Sequence, residues 1–191
     1  MPELLVRIKK NRDGSAALTC VRADGSVTWQ RQTGRQGAFF PIHDLTHYAV
    51  ETTLGVRQGF FGLLAEGWDM SDTEGKGARG PLPVEALAVE LVVGFLDAER
   101  AGGCEWSAAE FAEKVALHAT ARGTPPDKLP PADVITDARL AAIRSAMRAL
   151  FARWMDVEPG GTLELPFDRP MRQAPQAPHE TGRDIAGARA R

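Results

Sequence analysis

The chain has 191 residues with a formal net charge of −2; 25% of them are charged and 43% hydrophobic, as in ordinary globular proteins. The near-neutral charge gives no electrostatic reason to expect nucleic acid as a partner. Two cysteines, Cys20 and Cys104, are too few for a disulfide scaffold or a cysteine-based metal site. The N-terminal residues do not resemble a signal peptide, and Ala86–Leu96, the most apolar run, is far shorter than the ~20 residues that span a bilayer. We therefore expect a cytoplasmic protein that does not enter the membrane and whose partner is a small molecule or another protein.

The first part of the chain predicts a three-stranded antiparallel meander over residues 3–32. Apolar side chains alternate with more polar ones along Leu4–Lys9, which is the pattern of a half-buried strand. Asp24-Gly25 is typical of a two-residue hairpin turn, because the central positions of such a turn favour positive φ. Gln32–Ala38, which contains two glycines, is predicted to be a loop.

A helix is predicted from Pro41 to near Gly55, and it carries the residues that suggest chemistry. At about 100° per residue, four polar side chains fall on one contiguous face. We call this face the polar stripe; it consists of His43, Asp44, His47 and Glu51. No lysine or arginine interrupts it, and the two histidines stand one turn apart, a spacing at which two imidazoles can reach one ion.

The His-Asp-Leu-Thr-His segment, residues 43–47, resembles the His-Glu-x-x-His helix of zincin metalloproteases. The resemblance implies that His43 and His47 bind zinc, and it places Asp44 where the zincins have their general base. Asp44 is one methylene shorter than that glutamate, so it would serve as a weaker base or would orient a histidine. The longer segment PIHDLTHYAVETTLG, residues 41–55, resembles one carried by an uncharacterised bacterial protein family, which implies no activity.

The remainder of the chain predicts four further helices, a long loop and a final strand. The expected helices are Val56–Glu66, Pro83–Arg100, Ala108–Arg122 and Thr136–Val157, and the loop is Ser71–Pro83. Ser107 and Glu110 form a capping-box pattern before the third of these helices. Leu163–Phe167 is predicted to extend the sheet, at an edge because Pro166 cannot donate to a ladder.

The sequence offers two candidates for the third metal ligand, Glu51 and Glu90. Glu51 continues the polar stripe, but it is about 12 Å along the helix axis from His43. Glu90 is the sole charge within Ala86–Leu96, on the helix expected to be central, where a buried carboxylate is rare unless it is paired. Alternatively, Glu90 belongs with Asp97 to a solvent-facing stripe of that helix.

These observations predict an α+β domain over residues 1–168, with a small sheet packed against about five helices, followed by a flexible Arg- and Pro-rich tail over residues 169–191. The leading hypothesis is a protein that binds zinc or another divalent metal, and beyond that a metal-dependent hydrolase. The alternative is a non-catalytic interaction or regulatory module in which the polar stripe is a structural network.

Overall fold

A computed structural model describes residues 2–75, 79–130 and 134–170, and within them the predicted α+β architecture is confirmed. One four-stranded antiparallel sheet packs against five α-helices. The strands are β1 (Leu4–Lys10), β2 (Ala16–Arg22), β3 (Val27–Gln32) and β4 (Thr162–Phe167). The helices are α1 (Arg35–Leu54), α2 (Phe60–Ala65), α3 (Val84–Gly102), α4 (Ala108–Arg122) and α5 (Asp137–Met155).

The sheet has the order β3-β2-β1-β4. The first strand, β1, therefore lies inside the sheet, next to the last strand, β4, which forms one edge. In β1, Leu4, Val6 and Ile8 are completely buried, which confirms the alternation predicted for this strand. Strand β4 pairs with β1 alone, and Pro166 lies opposite Leu5 in that ladder. The predicted edge position of the C-terminal strand is therefore confirmed.

The helices cover one face of the sheet and enclose the hydrophobic core. Helix α1 packs against both α3 and α5, which makes it the link between the sheet and the other helices. Three phenylalanines, Phe61, Phe111 and Phe167, are among the largest side chains that are fully buried. Burying one such side chain stabilises a fold by roughly 1.5–3 kcal/mol, so the core rests on residues from α2, α4 and β4 together.

Helix α1 begins at Arg35, six residues before the predicted start, and Pro41 lies inside it. The prediction of a loop over Gln32–Ala38 was wrong because its glycines have other roles. Gly34 has a φ of 59° and precedes the helix, whereas a Cβ at Gly37 would lie 2.9 Å from the carbonyl oxygen of Gly14. Gly37 is thus needed for close packing, not for chain flexibility.

Helix α2 is shorter than predicted, because α1 ends on Gly55 in the left-handed conformation and an irregular turn follows as far as Gly59. The remaining helices agree with the prediction to within two residues at each end, and the capping box of α4 is present. No helix among the described residues is long and apolar enough to cross a membrane.

A buried ion pair joins α3 to α5. Arg144 donates to both carboxylate oxygens of Glu99, at 2.6 and 3.0 Å, and also to the carbonyl oxygen of Trp106. The side chains of Arg144 and Glu99 are only 11% and 4% exposed. One turn further along α5, Arg148 pairs with Glu105 at an exposed position.

The predicted boundary between domain and tail, after residue 168, falls near the end of the described residues. Residues 171–191, most of the predicted tail, lie outside them. Arg169 is held by Glu3, whose carboxylate accepts from the Arg169 side chain at 2.8 Å, and Arg57 donates to the carbonyl oxygen of Pro170. The first two residues assigned to the tail therefore contact the domain.

Candidate metal centre

Two imidazole rings lie against each other on the side of α1 that faces α3. His43 and His47 are one helical turn apart, and their ring centroids are separated by 4.8 Å in an edge-to-face arrangement. Phe39 stacks on His43, while Phe60 of α2 contacts the ring of His47. Aromatic neighbours on both sides limit the orientations that the two histidines can adopt.

Glu90 of α3 completes a group of three potential metal ligands with these histidines. One ligand atom from each of His43, His47 and Glu90 lies within 4.8 Å of the other two, and we call these three residues the ligand group. The Nε2 atom of His47 is 3.5 Å from Oε1 of Glu90. Ligand atoms on one tetrahedral zinc ion are ~3.3 Å apart, so small side-chain adjustments would bring the group to coordination distance.

Asp97, also on α3, fixes the orientation of His43. Its Oδ2 atom lies 2.7 Å from Nδ1 of His43, and its Oδ1 atom contacts Thr46 and Arg100. Burial alone would raise the pKa of Asp97, but the hydrogen bond to His43 and the nearby positive charges lower it. With Nδ1 engaged, His43 has only Nε2 to offer to an ion, an arrangement that recurs in metal-binding histidines.

Glu51, predicted as a possible ligand, lies outside the ligand group and is held by helix α2. Its two carboxylate oxygens accept from the backbone N–H groups of Phe61 and Gly62, at 3.2 and 3.1 Å. This accounts for Gly59, because a Cβ there would lie 2.4 Å from the Glu51 carboxylate carbon. Glu51 therefore joins α1 to α2, and its described contact with the ligand group is the one with His47.

His47 lies buried between two carboxylates, Glu51 on one side and Glu90 on the other. Oε1 of Glu51 is 3.4 Å from Nδ1 of His47, although that nitrogen has no aligned hydrogen-bond partner among the described residues. Burial alone would lower the pKa of His47, but the two carboxylates outweigh it and raise the pKa to about 10. A proton and a metal ion would thus compete for the same imidazole.

Asp44, predicted as a general base, is directed toward strand β3, and its side-chain hydrogen bond is with that strand and not with the ligand group. It is buried, and its Oδ2 atom accepts from the side-chain amide of Gln32 in β3 at 3.0 Å. Burial raises the pKa of Asp44 to about 6, although the hydrogen bond from Gln32 opposes the shift. Its role as a base or as an orienter of a histidine stays a prediction, and the contact with Gln32 does not support it.

The structure thus brings together three of the predicted site residues, whereas Asp44 and Glu51 form their hydrogen bonds with β3 and with α2. Sequence reasoning did not assign a role at the site to Asp97, and the signal was its position seven residues after Glu90, two turns along the same face of α3. Searches against protein-family models, curated proteins and solved structures find no match to this chain.

Proposed function

We propose that this protein binds a divalent metal ion, with zinc as the best fit, through His43, His47 and Glu90. The observation that carries the proposal is the convergence of two imidazoles from α1 and one carboxylate from α3, with ligand atoms within 4.8 Å. Two histidines and a glutamate are a ligand set of catalytic zinc sites, which keep the fourth position for water or substrate. Iron, nickel or manganese would also accept nitrogen and carboxylate ligands.

Asp97 supports the proposal because its contact with His43 is of a kind that is common at metal-binding histidines. A carboxylate on the far nitrogen of the ring fixes the tautomer and makes the other nitrogen a stronger ligand. The 2.7 Å contact between Asp97 and His43 has this form. The hydrogen bond also joins α1 to α3, so the same contact stabilises the geometry of the ligand group.

Hydrolysis is the specific activity that we propose for this site. A zinc ion held by three protein ligands polarises a carbonyl or phosphoryl oxygen and lowers the pKa of a bound water. Glu90 is 46% exposed at its side chain, and Phe39 beside His43 is also 46% exposed, so the ligand group borders solvent on one side. For Asp44 to act as a base, it would have to leave Gln32 and turn toward the ligand group.

A second candidate function is a non-catalytic interaction or regulatory module in which the polar stripe is a structural network. It is favoured by the partners that the protein itself supplies. Glu51 caps α2, Asp44 accepts from Gln32, and His43 pairs with Asp97. In this alternative His47 is protonated, and its proton takes the place of the ion between the imidazole and Glu90.

Elemental analysis of protein purified without an affinity tag, after zinc loading and removal of free zinc, separates the two candidates. We expect one zinc per chain in the wild type and its loss in His43→Ala and in His47→Ala. His118→Ala is the matched control, because His118 is an exposed histidine on α4 that contacts only the ring of Phe95 among the described aromatic residues. Equal zinc content in the wild type and both site variants would refute the proposal, and no zinc in the wild type would favour the second candidate.

A further inference from the structure

A cleft of about 460 Å³ adjoins the ligand group on the outer side of α3. Its walls come from α3 and from the segment that follows α4. Its lining includes the side chains of Leu87, Glu90, Leu91, Arg122, Thr124 and Lys128. Small-molecule sites in proteins occupy about 300–1,000 Å³, so the cleft has room for a small metabolite-sized ligand.

Glu90 belongs to both the cleft and the ligand group. Leu87, Glu90 and Leu91 lie at positions i, i+3 and i+4 of α3, so they share one face of the helix. Glu90 is also the residue of α3 whose carboxylate approaches His47, at 3.5 Å. A molecule bound in the cleft would therefore lie beside the ion that Glu90 helps to hold.

Two cations, Arg122 and Lys128, line the opposite wall, and their side chains form no ion pair with any side chain that the structure describes. Arg122 lies in the last turn of α4 and Lys128 in the 3₁₀ turn Pro126–Lys128, where the backbone N–H of Lys128 donates to the carbonyl oxygen of Pro125. By contrast, Arg144 and Arg148 both engage glutamates. Glu90 and the carboxyl end of α4 together contribute about one and a half negative charges to the cleft, which the two full positive charges exceed.

We propose that this cleft binds the phosphate group of a small-molecule substrate. The inference rests on the proposed metal site, because it makes the cleft the substrate-binding side of the same centre. Arg122 and Lys128 hold the phosphate oxygens, with the Thr124 hydroxyl as a neutral donor. Leu87 and Leu91 contact the apolar part of the substrate, which extends past Glu90 toward the ligand group.

Calorimetric titration of the zinc-loaded full chain with inorganic phosphate tests this assignment, with free zinc removed beforehand. We expect the double variant Arg122→Gln/Lys128→Gln to bind phosphate at least about tenfold more weakly than the wild type. Arg148→Gln is the control, because it removes an exposed arginine that lines a different cleft and should leave the affinity unchanged. Titration with acetate should give weaker binding than phosphate, since a monoanion matches two cations less well.

Zinc content measured on the same samples keeps the two proposals separate. One zinc per chain together with equal phosphate affinity in the wild type and the double variant would overturn the cleft assignment and leave the metal site standing. Acetate binding as tight as phosphate would overturn the assignment to a phosphate group. If the double variant does not fold, as judged by its melting temperature, Arg122→Gln alone replaces it, because Arg122 is exposed at the end of α4.

Discussion

Glu51 and Glu90 both approach His47, yet the structure predicts that replacing each by glutamine has a different effect. Glu51→Gln should lower the stability of the fold, whereas Glu90→Gln should lower zinc affinity. The reason is that the carboxylate of Glu51 is buried and holds α2, while that of Glu90 is half exposed and belongs to the ligand group. The two substitutions are chemically identical, so each serves as the control for the other.

The magnitude for Glu51 follows from its two backbone contacts. Glutamine keeps one acceptor oxygen, so the N–H of either Phe61 or Gly62 would lose its partner in a buried setting. Leaving a buried donor unsatisfied costs about 1–3 kcal/mol, which corresponds to a fall in melting temperature of roughly 2–12 °C for a protein of this size. Glu90→Gln leaves no backbone group unsatisfied, but it removes the charge of one half-exposed carboxylate beside His47, so the free energy of unfolding should fall by less than about 1 kcal/mol.

For Glu90, the expected loss of zinc affinity exceeds the ~10–100-fold loss that follows removal of an outer partner of a metal ligand. Thermal unfolding of the metal-free proteins and competitive zinc titration with a chelator measure the two effects independently. A zinc affinity that falls for Glu51→Gln and not for Glu90→Gln would refute this reasoning, because it would place the third ligand on α1. An unchanged melting temperature for Glu51→Gln would show that the carboxylate is not needed to hold α2.

Four further substitutions test the packing and the electrostatics of the fold. Arg144→Met should lower the free energy of unfolding by about 3–5 kcal/mol in chemical denaturation, because it leaves the buried Glu99 unpaired. Arg148→Met should lower it by less than about 1 kcal/mol, and equal effects of the two would contradict this assignment. The pKa of Asp44 in the folded protein is about 6, above its ordinary value of 3.8. The wild type should therefore lose up to about 3 kcal/mol of stability relative to Asp44→Asn as the pH rises from 4 to 7. Parallel profiles of stability against pH for the two proteins would disprove the shift. Gly94→Ala in α3 should raise the free energy of unfolding by about 0.5–1 kcal/mol, since a Cβ there meets no atom within 4 Å, and a loss of stability would mean that the site is more crowded than the structure shows.

The fold could be predicted largely from local patterns, and the errors arose where a residue serves a distant contact. Alternation in β1 and the capping box before α4 are local signals, and both were confirmed. Gly37 looked like part of a loop, because the contact that requires glycine there is with the backbone of Gly14, more than twenty residues away in the chain. Nothing in the neighbouring residues of Gly37 reveals that contact.

The candidate site shows the same division between local and long-range information. Helical periodicity correctly placed His43 and His47 together, because their spacing alone determines it. It also placed Asp44 and Glu51 on the same stripe, but Gln32 and the start of α2 give these two carboxylates other partners. Only the packing of α3 against α1 decides that Glu90 approaches the histidines.

The most direct test of the proposed metal site is a crystal structure of zinc-loaded protein with anomalous data collected at the zinc absorption edge. We predict one anomalous peak about 2.0–2.2 Å from a ring nitrogen of His43, a ring nitrogen of His47 and a carboxylate oxygen of Glu90. The contact between Asp97 and Nδ1 of His43 should persist in that structure. A zinc peak bound elsewhere, or none at the ligand group under saturating zinc, would contradict the assignment of these three residues as a metal centre.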